Sequence, residues 1–262
     1  MRIGIDEYAY LGSPLHHWDP RYKFIGLMAV IFAFSFVRDL RMLAVMVTVT
    51  AVIYIISKLP FSFWLTRLRY PSFFLMVVVL LLPFVSGHTI IMSIGPLDLR
   101  QEGLIAVLLI AIRFVSILTI GLVLFGTAPF LTTIKAMRAL GLPAILTDMT
   151  LLAFRYLNEI GDDLHKMETS MKLRGFHERR FSRHGLGILA WLGGSILVRS
   201  YEQSEWVYKA MIVRGYGHAV HPREEFKASS RDLIALIAIL LVAVGFIAGD
   251  ILCRREAMAL LQ

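Results

Sequence analysis

A single cysteine, Cys253, stands in a chain of 262 residues. It can close no internal disulfide and offers no thiolate cluster to a metal. No Gly-rich phosphate loop ending in Gly-Lys-Ser or Gly-Lys-Thr occurs, which excludes nucleotide hydrolysis by that route. Neither a His-Glu-x-x-His zinc motif nor a Gly-x-Ser-x-Gly nucleophile turn is present, and no pair of carboxylates lies inside an apolar run. The eight histidines are scattered. His16-His17 and His218-Ala219-Val220-His221 are the close pairs, and neither has a carboxylate or cysteine placed to complete a metal site, so they read as loop histidines. The first 22 residues lack the basic opening of a signal peptide. No catalytic residue, metal ligand or cofactor is assigned.

Charge is also scarce. Only 18% of residues are charged against 57% hydrophobic, and the mean hydropathy is +0.69. That balance belongs to membrane proteins. The net charge of +8 could suggest nucleic acid, but its distribution argues otherwise. Residues 135–231 hold 15 of the 27 Lys and Arg and 10 of the 19 Asp and Glu. Mixed signs at this density describe solvated helices, and the positive excess marks the cytoplasmic side of a bilayer.

Asp19-Pro20-Arg21-Tyr22-Lys23 precedes the first apolar run. Asp19 suits a helix N-cap and Pro20 the first helical position; Arg21 and Lys23 are expected at the inner headgroups. Apolar runs follow at 24–37 and 42–57, each short for a straight crossing, so two short spans and a re-entrant pair both remain open. Further spans are expected at 71–91, kinked at Pro83, and at 104–125, with an external turn at Gly95-Pro96 between them. Arg113 falls in the middle of the fourth span, where a lone charge must face a bundle interior, a cavity or a partner. An interhelical brace is preferred over a proton path, because no intramembrane carboxylate is placed to relay protons.

From Pro129 the character changes. A short helix through Lys135 and Arg138 should stop at Leu140-Gly141-Leu142-Pro143. The next helix, about 145–174, carries one apolar stripe at Leu157, Ile160, Leu164, Met167 and Met171. It is too polar to span and too apolar to stand alone. Residues 186–198 are apolar but too few to cross; 233–251 make the last span. The expected fold is an all-α polytopic membrane protein with about five transmembrane helices and long cytoplasmic amphipathic helices. Its expected parts are an N-terminal membrane bundle of about four spans (1–128), a cytoplasmic helical region (129–231), and a last span with the C-terminus (232–262).

Each of the two long amphipathic segments closes on the same words, Met171-Lys172-Leu173-Arg174-Gly175-Phe176 and Met211-Ile212-Val213-Arg214-Gly215-Tyr216. If Gly175 and Gly215 are left-handed residues just past a helix end, Phe176 falls against Met171 and Tyr216 against Met211, the apolar contact of a Schellman stop. Arg174 and Arg214 then stand at the last helical position, where a cation suits the negative end of the helix dipole. One copy is an ordinary C-cap. Two copies on the non-membrane part of a membrane protein read as a pair of docking plugs. An Arg fork suits carboxylates, so the partner expected is acidic, grooved and two-lobed, such as an ATPase dimer.

As a set these residues resemble the transmembrane T component of energy-coupling-factor importers, most of all the cobalt/nickel type. The resemblance rests on Asp19-Pro20-Arg21-x-Lys23, on Arg138-Ala139-Leu140-Gly141-Leu142-Pro143, on Arg155-Tyr156 with Met171-x-x-Arg174-Gly175-Phe176, and on Arg199-Ser200-Tyr201-Glu202 with Ala210-Met211-x-x-Arg214-Gly215-Tyr216. It implies that the two Arg-Gly ends bind grooves on two ATPase subunits, a homo- or heterodimer. It implies too that the membrane helices hold a small substrate-binding membrane protein, the S component. A prokaryotic inner-membrane location follows, with the bilayer and these proteins as partners and no nucleic acid. The family motif has alanine before Arg-Gly; Leu173 and Val213 depart from it. Three other readings stay open. One is a T component serving a vitamin. Another is a membrane enzyme or self-contained carrier built on Arg113. The last is a six-span protein in which 186–198 crosses the bilayer.

Overall fold

A computed structural model describes residues 8, 12–85, 90–94, 97–175, 183–216, 226 and 229–259. Its elements in chain order are α1 (Pro14–His17), α2 (Pro20–Phe36), α3 (Leu40–Ser57), α4 (Phe61–Val85), β1 (Ile90–Ile94), β2 (Leu97–Arg100), α5 (Gln101–Gly126), α6 (Phe130–Ala139), α7 (Ala144–Leu173), α8 (Arg183–Val213) and α9 (Ser230–Ala259). The fold is that of an all-α polytopic membrane protein. Among the described residues, four stretches are long and apolar enough to cross a bilayer: Leu40–Ser57, Phe61–Pro83, Glu102–Gly126 and Ser230–Leu252. With 17 residues, α2 is about 26 Å long at 1.5 Å per residue and falls just short of that set.

The described residues fall into two compact units. The larger lies within Ile5–Leu140 and Phe226–Gln262, the smaller within Gly141–Glu225.

In the larger unit α2 is the hub. The Asp19 carboxylate accepts from the Arg21 N–H at 2.9 Å and Pro20 opens the helix, as the sequence pattern requires. Its buried residues, Lys23, Gly26, Leu27, Val30, Ala33 and Phe34, step by three and four. That stripe meets α9, which runs parallel to α2. Trp18 donates to the Asp232 carbonyl at 3.1 Å, and Phe34 lies edge-on to Phe246 at 4.9 Å. A methyl group on Gly26 would sit 3.3 Å from Ile239 and from Trp18, so glycine lets the two helices approach. The opposite face of α2 leaves Phe32 and Phe36 exposed, which suits lipid.

Lys23 departs from expectation. Rather than anchoring in headgroups it is 1% exposed, because position 23 continues the buried stripe. Its ammonium donates to the carbonyls of Leu15 (3.3 Å) and Thr127 (3.1 Å) and to the Thr127 hydroxyl (3.2 Å). One buried cation thus ties α1, α2 and the end of α5. Arg21 also turns inward, donating to the Phe226 carbonyl at 2.8 Å and stacking over its ring.

The third span starts earlier than expected. Instead of opening at Pro71, α4 begins at Phe61 and holds both Pro71 and Pro83 within it. Phe61 stacks on Trp64, and Trp64 donates to the Thr119 hydroxyl of α5 at 2.9 Å. These contacts fix the first turns despite the hydrogen bond Pro71 cannot make. Between α4 and α5, β1 and β2 pair antiparallel with Ile94 opposite Leu97, flanking the expected turn; Gly95-Pro96 itself lies outside the described residues. The short helix stops as its residues predict, with Leu140 at the cap and Gly141 at φ +114°.

The smaller unit is two long helices. α7 has 30 residues and α8 has 31. α8 runs unbroken through 186–198 and is not among the stretches apolar enough to cross. Of α7's expected stripe, Ile160, Leu164, Met167 and Met171 are half-buried while Leu157 is exposed.

Candidate functional site: two matched helix ends

At the end of α8 the chain makes a complete Schellman stop. The Gly215 N–H donates to the Ile212 carbonyl at 2.9 Å, and the Tyr216 N–H reaches back to the Met211 carbonyl at 3.0 Å. Gly215 has φ +77°, a conformation that a Cβ penalises and glycine does not. The end of α7 repeats the design. Gly175 has φ +83° and donates to the Lys172 carbonyl at 3.1 Å. Phe176 lies outside the described residues.

Both arginines occupy the cap position, one place beyond the last helical residue, Leu173 or Val213. Their backbone N–H groups make the same pair of bonds, from Arg174 to Ser170 and Met171 and from Arg214 to Ala210 and Met211, each at 3.2 and 3.1 Å. Both side chains are exposed, while Met171 and Met211 are half-buried. Beside each Arg stands a bare aliphatic residue, Leu173 at 84% exposure and Val213 at 88%. Each end therefore offers one fork of donors and one apolar knob on a rigid stump. That combination fits a groove holding a carboxylate next to an apolar wall.

Polar links set the distance between the ends. Arg199 of α8 pairs with Asp163 of α7 at 3.5 Å. The Tyr216 hydroxyl donates to the Asp148 carboxylate at 3.1 Å. Residue numbers rise along one helix as they fall along the other, so α7 and α8 are antiparallel. Arg174 lies eleven residues beyond the Asp163 link and Arg214 fifteen beyond Arg199 in the opposite sense. At 1.5 Å per residue the two tips stand roughly 40 Å apart, at opposite ends of the pair.

Arg113, the remaining sequence candidate, lies in the larger unit. It extends from α5 and donates through Nη2 to the Val37 carbonyl, at the turn joining α2 to α3. The same turn is held from α9. The Asp250 carboxylate, buried, accepts the N–H groups of Arg38 (2.8 Å) and Asp39 (3.3 Å). Two helices, α5 and α9, thus converge on one turn through charged groups. Sequence reasoning gave Asp250 no role, and left the Tyr216–Asp148 bond unseen. Neither leaves a local signal, since the partners are 212 and 68 residues apart.

Comparison with known proteins adds the following. The family description "CbiQ: Cobalt transport protein" matches residues 12–226. The chain is 28% identical over 216 residues to the energy-coupling factor transporter transmembrane protein of Listeria innocua, covering 78% of this chain and 81% of that one. It is 24% identical to the protein of the same name from Thermosediminibacter oceani, over 94% of this chain and 97% of the other. A third relative, from Bifidobacterium longum, is named among the ATP-binding proteins of ABC transporters. It is 25% identical over 173 residues, which are 62% of this chain but 22% of that protein.

Proposed function

The chain belongs to the CbiQ family of cobalt transport proteins, and from that premise we propose that it transmits the stroke of two ATPase subunits to a membrane substrate-binding subunit. The energy-coupling transmembrane component is the role its relatives are named for. The carrying observation is the pair of matched Arg-Gly ends, equal in cap geometry and exposure, set at opposite ends of an antiparallel helix pair. A separation of roughly 40 Å suits two grooves on two subunits better than two sites on one. The Bifidobacterium relative supports the same partnership, because there a segment like this one shares a chain with a protein named for ATP binding.

In this reading the Arg174 and Arg214 guanidiniums each engage a carboxylate in an ATPase groove. Truncating a buried charge pair of that kind costs 2–5 kcal/mol. Closure of the ATPase pair on ATP draws the two tips together and tilts α7 against α8; opening after hydrolysis lets them part. The left-handed glycines matter because they fix where each fork points. The cargo is a cobalt or nickel ion, held by the substrate-binding subunit and not by this chain. The helix pair faces the cytoplasm of a prokaryotic cell, where its positive excess belongs.

The test is Arg174→Ala with Arg214→Ala in the assembled transporter. ATP-driven cobalt uptake should be abolished and co-purification of the ATPase subunits weakened. Uptake at the parental rate in the double variant would overturn the proposal.

A further inference from the structure

The two tips carry different aromatic residues after the glycine. Tyr216 reaches from the second tip to Asp148 at 3.1 Å, one turn into α7. The first tip carries Phe176 at the corresponding place, and a phenyl ring has no hydroxyl to give. Tyr216 is half-buried, so its bond to a carboxylate is charge-assisted and partly shielded from water, the stronger class of hydrogen bond. A second described polar link between the helices, Asp163–Arg199, is more open and longer, with the Arg side chain 60% exposed. It constrains orientation less.

We infer that the Tyr216–Asp148 bond is a transmission latch, making Tyr216 and Asp148 positioning residues that hand movement of the second tip directly to the base of α7. This rests on the proposed coupling role. A force applied at Arg214 has two ways out. It can run back along α8, or it can cross at once from Tyr216 to Asp148, a few residues from the helix stop at Gly141, whose φ of +114° marks a bend. The second tip therefore drives the first turns of α7 from close range.

The measurement is the number of substrate ions taken up per ATP hydrolysed by the complete transporter in proteoliposomes, beside ATPase rate and subunit co-purification. Tyr216→Phe removes one oxygen and leaves the ring in place. It should lower uptake per ATP by about tenfold or more, as expected for loss of one hydrogen bond to a charged group, with hydrolysis and co-purification unchanged. Asp148→Asn keeps an acceptor oxygen without the charge and should fall between the parental ratio and that of Tyr216→Phe, whereas Asp148→Ala should match Tyr216→Phe. A parental ratio in Tyr216→Phe would overturn the latch, and so would loss of ATPase co-purification, which would make Tyr216 a docking residue. The Arg174→Ala, Arg214→Ala double variant, run alongside, separates the two claims. If it is dead while Tyr216→Phe is normal, only the latch fails; if it too transports, the coupling role fails first.

Discussion

The larger unit keeps its polar chemistry inside and the smaller one displays it. In the first, Lys23, Asp250 and Thr127 are buried and bonded, and Leu27, Val30, Phe34 and Met46 are sealed from solvent. In the second, α7 buries only Thr147 among its described residues, no described side chain of α8 is buried, and Trp191 stands 82% exposed. Stability of the first is intrinsic to the chain. The second, two amphipathic helices with little buried between them, leaves most of its apolar surface exposed. Substitutions should accordingly separate into those that unfold and those that uncouple.

The largest effect is expected from Phe34→Ala, which empties a fully buried site between α2 and α9 and should cost about 4 kcal/mol of unfolding free energy in detergent. Asp250→Ala comes next. It strands the Arg38 and Asp39 N–H groups and should cost about 2 kcal/mol, while Asp250→Asn retains most of the stability. A global loss in either, read by thermal unfolding, sharpens the contrast; no change in Phe34→Ala would erase it. In the smaller unit Gly215→Ala forces a side chain into left-handed backbone, at about 1.5 kcal/mol. Its main consequence should be reduced ATP-driven uptake with the amount of folded protein near normal. Arg199→Ala should change stability by about 0.5 kcal/mol, the scale of a partly exposed ion pair.

The smallest effect is a pH dependence confined to the N-terminal end. Burial holds the His16 imidazole below its usual value of 6.5, against a hydrogen bond to the Tyr8 carbonyl that favours the charged form. The folded state then binds fewer protons than the unfolded one. The contribution is present above pH 6.5 and fades as pH falls through the folded value. His16→Asn should flatten that slope in unfolding measurements between pH 7.5 and 5.5.

What was legible in the sequence follows the range of the forces involved. The doubled Met-x-x-Arg-Gly-aromatic words predict a left-handed glycine and a bond from the second aromatic's N–H to the methionine carbonyl, and Gly215 with Tyr216 shows both. The stop at Gly141 and the cap at Asp19 are equally local. Facing was not legible. Because α2 is apolar all round, no periodicity distinguishes its α9 side from its lipid side, and Lys23 read as an anchor when it is an interior tie. Pro71 read as a helix start because nothing nearby in sequence announces that Trp64 finds Thr119. The same holds for Asp250 and for Tyr216, whose partners lie in distant stretches.

The parallel pairing of α2 with α9 also orders events in time. Trp18 and Asp232 are separated by 214 residues, so at 5–20 residues per second a ribosome needs about 10–40 s to deliver the second after the first. Throughout that interval Leu27, Val30 and Phe34 lack the surface they finally rest against. α2 is thus completed only when α9 arrives, and a chain ending prematurely before Ser230 would leave that seam open for membrane quality control to read.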